Sequence, residues 1–150
     1  MDRLVRTDSL NDDFIALVKV LDHELWQRYG DEQQFYSHFN TIDTLKHVVV
    51  AYRNSIAVGC GAIRKYDNES IEVKRMFVRL DYRSSGVASR ILNELEKWAV
   101  ELGFFSSILE TGNLQPEAIH LYKKKGYEII PNYGQYAMVK RSICMIKMIQ

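Results

Sequence analysis

The sequence predicts a mixed β-sheet with helices packed on it, an α/β or α+β domain of about seven strands and four helices. Two observations carry that prediction. Apolar spacing alternates between a period of two and a period of about 3.6, giving the order β-α-α-β-β-β-α-β-α-β-β. The chain has 150 residues, 47% of them hydrophobic, with no repeat, low-complexity tract or Pro/Gly linker, so residues 1–150 are expected to share one core as a single domain.

"RLVRT" opens the chain as a short strand. Ser9 or Asn11 can then cap a helix whose stripe, Phe14, Leu17, Val18, Leu21 and Leu25, is spaced three and four apart until Gly30 stops it. "DEQQFYSHF" carries a weaker helical pattern. "HVVVAYR" and "IAVGCGAIRKY", joined by Asn54-Ser55, read as an antiparallel pair, and a further strand spans 71–78. From Gly86 the period lengthens: Val87, Ile91, Leu95, Trp98 and Leu102 make a helical stripe that Gly103 ends. "FFSSILE" is another strand, and Pro116 starts the helix "PEAIHLYKKK", which Gly126 closes. "YEII" and "SICMIKM" complete the sheet.

Charge excludes some functions. Lysine and arginine number 20 against 19 acidic residues, a formal net charge of +1, so the broad positive footprint of a nucleic-acid binder is absent and only a local anion site is compatible. Cys60 and Cys144, without a CxxC or Cys/His cluster, read as buried thiols in a reducing compartment. No metal site is expected, because His38 and His47 lack carboxylates at ligand spacing and His120 is read as solvent-facing. "MDRLVRTDSL" has no apolar leader core and no run of about 18 apolar residues occurs, so the expectation is a soluble, cytoplasmic protein without membrane contact.

The turn "DYRSSGVAS" carries the first chemistry. A strand end, then Arg83-Ser84-Ser85-Gly86-Val87-Ala88, then an amphipathic helix would aim successive backbone N–H groups and the positive end of a helix dipole at one spot suited to phosphate. Gly86 and Ala88 keep bulk away from the main chain, and Arg83 or Arg90 can add charge. The plainer reading is a strand-to-helix connection that favours Ser and Gly for its own geometry.

RxxGxA after "KRMFV", with "LETGNLQPEAIHLYKKKGY" some twenty residues on, resembles the GNAT superfamily of acetyl-CoA-dependent N-acetyltransferases over about residues 46–148. Residues 1–45 match only in element order, and Ser84 stands where many members carry Gly. The resemblance implies a mostly antiparallel sheet with splayed central strands. The pantetheine arm of acetyl-CoA would lie in that wedge along Met76, Phe77 and Val78, pairing with main-chain groups of Met76 and Val78. The pyrophosphate would rest on the amides from Arg83 to Ala88. Either Asn113 or Gln115 would contact the cofactor arm. Tyr122 would hydrogen-bond or protonate the coenzyme A sulfur; its alternative is a packing tyrosine. Many members form homodimers, but nothing in this sequence forces that state.

Acetyl transfer needs a neutral amine, and an amine of pKa near 10.4 is only about 0.04% neutral at pH 7, so a base helps. Glu72 lies eleven residues before Arg83, where some members place a catalytic glutamate. Strand alternation is expected to put Glu72, Lys74, Met76 and Val78 on one face lining the cleft. Glu72 can equally be a strand-end carboxylate or the partner of Lys74, and Glu110 is the second candidate. The Met76 amide would polarise the carbonyl. Trp26, Tyr29, Phe35, Tyr36 and Phe39 read as core and rim near the acceptor; Tyr133 and Tyr136 would form the opposite wall. The expected activity is acetyl transfer from acetyl-CoA to a primary amine of a small molecule or peptide. A non-catalytic acyl-CoA sensor and a cofactor-free interaction domain are the alternatives.

Overall fold

In the computed structural model, which describes residues 2–30 and 44–150, the period-two runs pair into one seven-stranded sheet. The strands are β1 (Arg3–Thr7), β2 (His47–Arg53), β3 (Ile56–Lys65), β4 (Ser70–Val78), β5 (Ser106–Gly112), β6 (Glu128–Ile130) and β7 (Ser142–Met148). The described helices are α1 (Asp12–Tyr29), α2 (Val87–Glu101) and α3 (Pro116–Lys124). They number three where four were expected, and the weak helix read in "DEQQFYSHF" lies outside the described residues. Strand order is β1-β2-β3-β4-β5-β7-β6, antiparallel throughout except between β4 and β5.

Local chemistry sets the element ends. The Asn11 side chain accepts from the Phe14 amide at 2.9 Å and so caps α1, whereas the Ser9 hydroxyl accepts from Leu45 N–H at 3.1 Å and ties the strand-helix corner to the start of β2. Asn54 and Ser55 both adopt positive φ, 51° and 68°, the geometry a two-residue hairpin needs. Cys60 and Cys144 are buried free thiols on β3 and β7.

Each face of the sheet packs a different helix. Phe14, Leu17, Val18 and Leu21 of α1 cover Val48, Val50, Cys60, Ala62 and Phe77. On the opposite face, Val87, Ile91, Leu92, Leu95 and Ala99 of α2 cover Val49, Ala51, Val58, Ile63, Ile71, Val73 and Val78. Burying each large side chain of these sets stabilises the fold by roughly 1.5–3 kcal/mol.

One expectation fails at the centre of the sheet. Cys60 pairs with Phe77 but Ala62 pairs with Lys74, so two residues of β4 oppose Gly61. Arg75, at φ 59°, is the extra residue of a β-bulge. Before it, Glu72 and Lys74 share the α1 face; after it, Phe77 takes that face, while Met76 and Val78 pack with the α2 cluster. Glu72, Lys74, Met76 and Val78 are therefore not on one face. Gly61 makes room, since a Cβ there would sit 2.5 Å from the Met76 sulfur.

The parallel pairing of β4 and β5 covers only Ser70–Val73 against Ser106–Leu109. Beyond it, β4 stays with β3 to Val78 and β5 with β7 to Gly112, so the two central strands part. The splay implied by the family resemblance is present.

Candidate active site

A groove of about 410 Å³ starts at the front of α2 and runs into the wedge between β4 and α3. Met76, Phe77, Val78, Arg83, Ser84, Gly86, Val87, Ala88, Gln115 and Tyr122 all line it. The turn between β4 and α2 forms its outer end. Gly86 sits at φ 86° as the residue before α2, and Ser84 is also left-handed at φ 63°. Among the described residues no backbone acceptor reaches the amides of Ser84, Ser85, Gly86, Val87 or Ala88, and Ser84 to Gly86 are exposed. These are the orphan donors that a helix N-terminus offers an anion.

The arginines behave differently from a simple phosphate clamp. Arg83 donates through Nε to the Val78 carbonyl at 2.8 Å and through both Nη atoms to Glu24, so it fastens the turn to α1. Arg90 binds the Asp2 carboxylate and, at 3.2 Å, the Ser85 carbonyl. Asp2 also receives Arg53 at 2.7 Å, and this arginine together with Arg90 outweighs burial and lowers its pKa to about 2.

Deeper in, at the apex of the wedge, a smaller cavity of about 90 Å³ shares Met76, Gln115, Ala118 and Tyr122 with the groove and adds Val73, Lys74, Arg75, Glu110 and Thr111. Tyr122 is 6% exposed, packs edge-on against the Tyr127 ring at 5.7 Å, and has no hydrogen-bond partner for its hydroxyl among the described residues. Burial, with the Glu110 charge, pushes its pKa up, so the phenol stays protonated. Burial also raises Glu110, and the 2.6 Å bond from the Ser142 hydroxyl and the nearby Lys74 offset only part of that. Lys74 is shifted down by burial, more than Glu72 and Glu110 restore.

Glu72 lies elsewhere. It is 1% exposed, and its two oxygens accept from Arg64 at 3.0 Å and from the Tyr133 hydroxyl at 2.5 Å. Tyr136 is fully buried and its hydroxyl accepts from Lys74 at 3.2 Å; the two tyrosines read as a wall bond to Glu72 and Lys74 but line neither cavity. Gln115 reaches back to accept from the Gly112 amide at 3.2 Å and lines both cavities; Asn113 is exposed and lines neither. Tyr29 is buried against Gly112, where a Cβ would fall 1.6 Å from its hydroxyl. Trp26 is 45% exposed, while Phe35, Tyr36 and Phe39 lie outside the described residues.

Arg28 is a lining residue that sequence reasoning missed, and Glu24, which the sequence offered only as part of an acidic rim near the acceptor, lines this groove instead. Arg28 binds Glu24 at 3.0 Å, the Leu114 carbonyl at 3.0 Å and Glu117, which joins α1 to the start of α3. As a pair, their only signal in the sequence was an acidic and basic residue four apart on a helix, which elsewhere means a surface pair.

Exposed orphan amides, a groove and a splayed parallel pair with a buried tyrosine at its apex thus lie along one path. The model of the acetyltransferase (GNAT) family matches residues 8–127, and the chain belongs to that family. It is 34% identical over 150 residues to the IAA acetyltransferase of Azospirillum brasilense, covering 96% of this chain and 95% of that one. A Klebsiella pneumoniae crystal structure, provisionally an acyl-CoA N-acyltransferase, superposes with a TM-score of 0.83 at 27% identity over 100% of this chain and 99% of that one. An aminoglycoside 6'-N-acetyltransferase complexed with coenzyme A shares the fold with a TM-score of 0.72 at 20% identity, over 99% and 97% of the two chains. Among the described residues no helix is long and apolar enough to cross a membrane.

Proposed function

We propose that residues 1–150 act as one N-acetyltransferase domain that moves an acetyl group from acetyl-CoA directly to a primary amine of a small molecule or peptide. The observation that carries this reading is the continuity of the groove: the orphan amides of Ser84 and of Gly86 to Ala88 lie at one end, and at the other the Tyr122 hydroxyl, which has no partner among the described residues. The residues suit the cofactor. The amides at the front of α2 take the diphosphate, Met76 to Val78 and Gln115 border its arm, and Glu24, a carboxylate lining that path, is neutralised by Arg83 and Arg28.

At the apex, the amine nitrogen attacks the thioester carbonyl as a C–N bond forms and the C–S bond breaks. Its proton passes to Glu110, whose raised pKa makes it a stronger base than an ordinary carboxylate, and the departing sulfur takes a proton from Tyr122. Both groups re-equilibrate with water as products leave. Glu72 is a second reading for the base: it stands on the same face and can act through the Tyr133 hydroxyl that already bonds to it.

Release of free coenzyme A across a panel of amines tests the proposal, with Glu110→Gln, Glu72→Gln and Tyr122→Phe run beside the wild type. Turnover that survives Glu72→Gln and collapses in Glu110→Gln supports the assignment above. Tight acetyl-CoA binding without turnover of any amine would instead favour an acyl-CoA sensor.

A further inference from the structure

We propose, deepening the acetyltransferase reading on which this rests, that Thr111 is a second donor to the coenzyme A sulfur: its hydroxyl and that of Tyr122 together hold the thiolate as it leaves.

The buried hydroxyls single out this pair. Among the described residues every buried serine has a partner: Ser9 with Leu45, Ser70 with Ser106, Ser107 with Tyr127 and Ser142 with Glu110. So do the buried tyrosines Tyr29, Tyr127 and Tyr136. Thr111, 5% exposed, and Tyr122 are the two whose hydroxyls have no partner among the described residues, and both line the apex cavity of about 90 Å³. Packing gives no reason for the Thr111 hydroxyl. Valine suits a buried strand as well and leaves no polar atom stripped of water, so threonine without a partner is the less stable choice. A ligand atom within reach of both hydroxyls removes that penalty.

Strand register shows which atom. Thr111 pairs with Ile143 and Leu109 with Met145, on the sheet face whose cluster also holds Tyr122. Glu110, between Leu109 and Thr111, stands on the opposite face, where Ser142 bonds to it. Where β4 and β5 part, the cavity therefore has the base on one side of the sheet and two hydroxyls on the other. The amine attacks from the Glu110 side and the sulfur departs toward Thr111 and Tyr122. As the C–S bond breaks, its electron pair moves to sulfur; Tyr122 transfers its proton there, while Thr111 keeps its own and donates a hydrogen bond. A thioester sulfur is a poor acceptor and a thiolate a good one, so this bond strengthens as charge develops and acts on kcat.

Thr111→Val and Thr111→Ser test this. Thr111→Val is expected to keep the apo Tm or raise it. Its kcat should fall roughly tenfold with KM for acetyl-CoA little altered, and Thr111→Ser should recover most of the rate. The coenzyme A complex gives a readout free of turnover. Its thiolate absorbance is titrated, and the desulfo-coenzyme A complex is subtracted to remove the tyrosines. The bound thiol should ionise at higher pH in Thr111→Val than in the wild type or Thr111→Ser, because a donor to the thiolate favours it. Glu110, Lys74 and Arg75 also border the cavity and are common to all three proteins, so the difference reports the hydroxyl. Should no amine turn over, the titration alone decides. A wild type that binds no coenzyme A defeats the acetyltransferase reading and this inference together. Where coenzyme A binds, a Thr111→Val that ionises the thiol at the wild-type pH, keeps the wild-type kcat or melts lower defeats this inference alone, as does a Thr111→Ser that restores nothing.

Discussion

Arg83 and Glu24 meet in a two-pronged ion pair, at 3.0 and 2.6 Å, that fastens the turn before α2 to α1 across 59 positions of sequence. Burial alone would raise the Glu24 pKa, but Arg83 and Arg28 carry it below the ordinary carboxylate value. The pair lines the groove proposed for the cofactor, so it does two things. It fixes the turn, and it cancels a negative charge that a diphosphate would otherwise meet.

Arg83→Met is therefore expected to weaken acetyl-CoA binding roughly ten- to hundredfold, about 1.4–2.8 kcal/mol. Adding Glu24→Gln should recover part of the loss by removing the stranded carboxylate. Calorimetric dissociation constants for the two single variants and the double close the cycle. A double variant as weak as Arg83→Met would mean that Glu24 contributes nothing through its charge.

Gly86 occupies left-handed backbone, and a Cβ on it would come within 2.7 Å of the Arg90 guanidinium. Gly86→Ala should cost about 1 kcal/mol of stability, a fall of about 2–4 °C in Tm. The ligand effect separates structure from binding. Acetyl-CoA at 100 times its Kd adds about 2.7 kcal/mol to a protein that binds it. The thermal shift at a fixed acetyl-CoA concentration should shrink in Gly86→Ala by more than the apo Tm does.

Tyr122→Phe removes a buried hydroxyl that has no partner among the described residues, so it should leave Tm unchanged or slightly higher. The rate is another matter: losing a positioned acid is expected to lower kcat roughly a hundredfold, with KM for acetyl-CoA little altered. Steady-state kinetics beside a melting curve check both halves. A drop in Tm with full activity would return Tyr122 to a packing role.

Much of this architecture was legible in the sequence because it is written in local periods. The α1 stripe from Phe14 to Leu21, the Asn54-Ser55 hairpin and the Gly86 entry to α2 each follow from neighbours within a few residues. The bulge at Arg75 was not, because an arginine in left-handed backbone leaves no trace in composition. Its one signal is Gly61 on the facing strand, whose missing Cβ admits Met76. Missing the bulge put Met76 on the wrong face. Arg83 was read as a free phosphate ligand for a similar reason: its partner, Glu24, is brought near only by the packing of α1 on the sheet.

Glu110 supplies the pH test. Burial raises its folded-state pKa above the ordinary 4.5, against the Ser142 hydrogen bond and Lys74. Below the ordinary value the carboxyl is protonated whether the chain is folded or not, so it makes no difference there. As pH climbs through the raised value, the folded protein must ionise a poorly solvated group and loses stability relative to a variant that cannot ionise. Glu110→Gln, which can still accept from Ser142, should thus match the wild type in acid and melt higher at neutral pH. Activity should move the other way. The wild-type kcat/KM is expected to rise through a carboxylate limb displaced upward from the usual range, because in the proposed mechanism only ionised Glu110 accepts the amine proton. Glu110→Gln should lose that limb and keep only the alkaline rise set by the acceptor's own ammonium. If the limb instead persists in Glu110→Gln and disappears in Glu72→Gln, the base is Glu72, working through Tyr133.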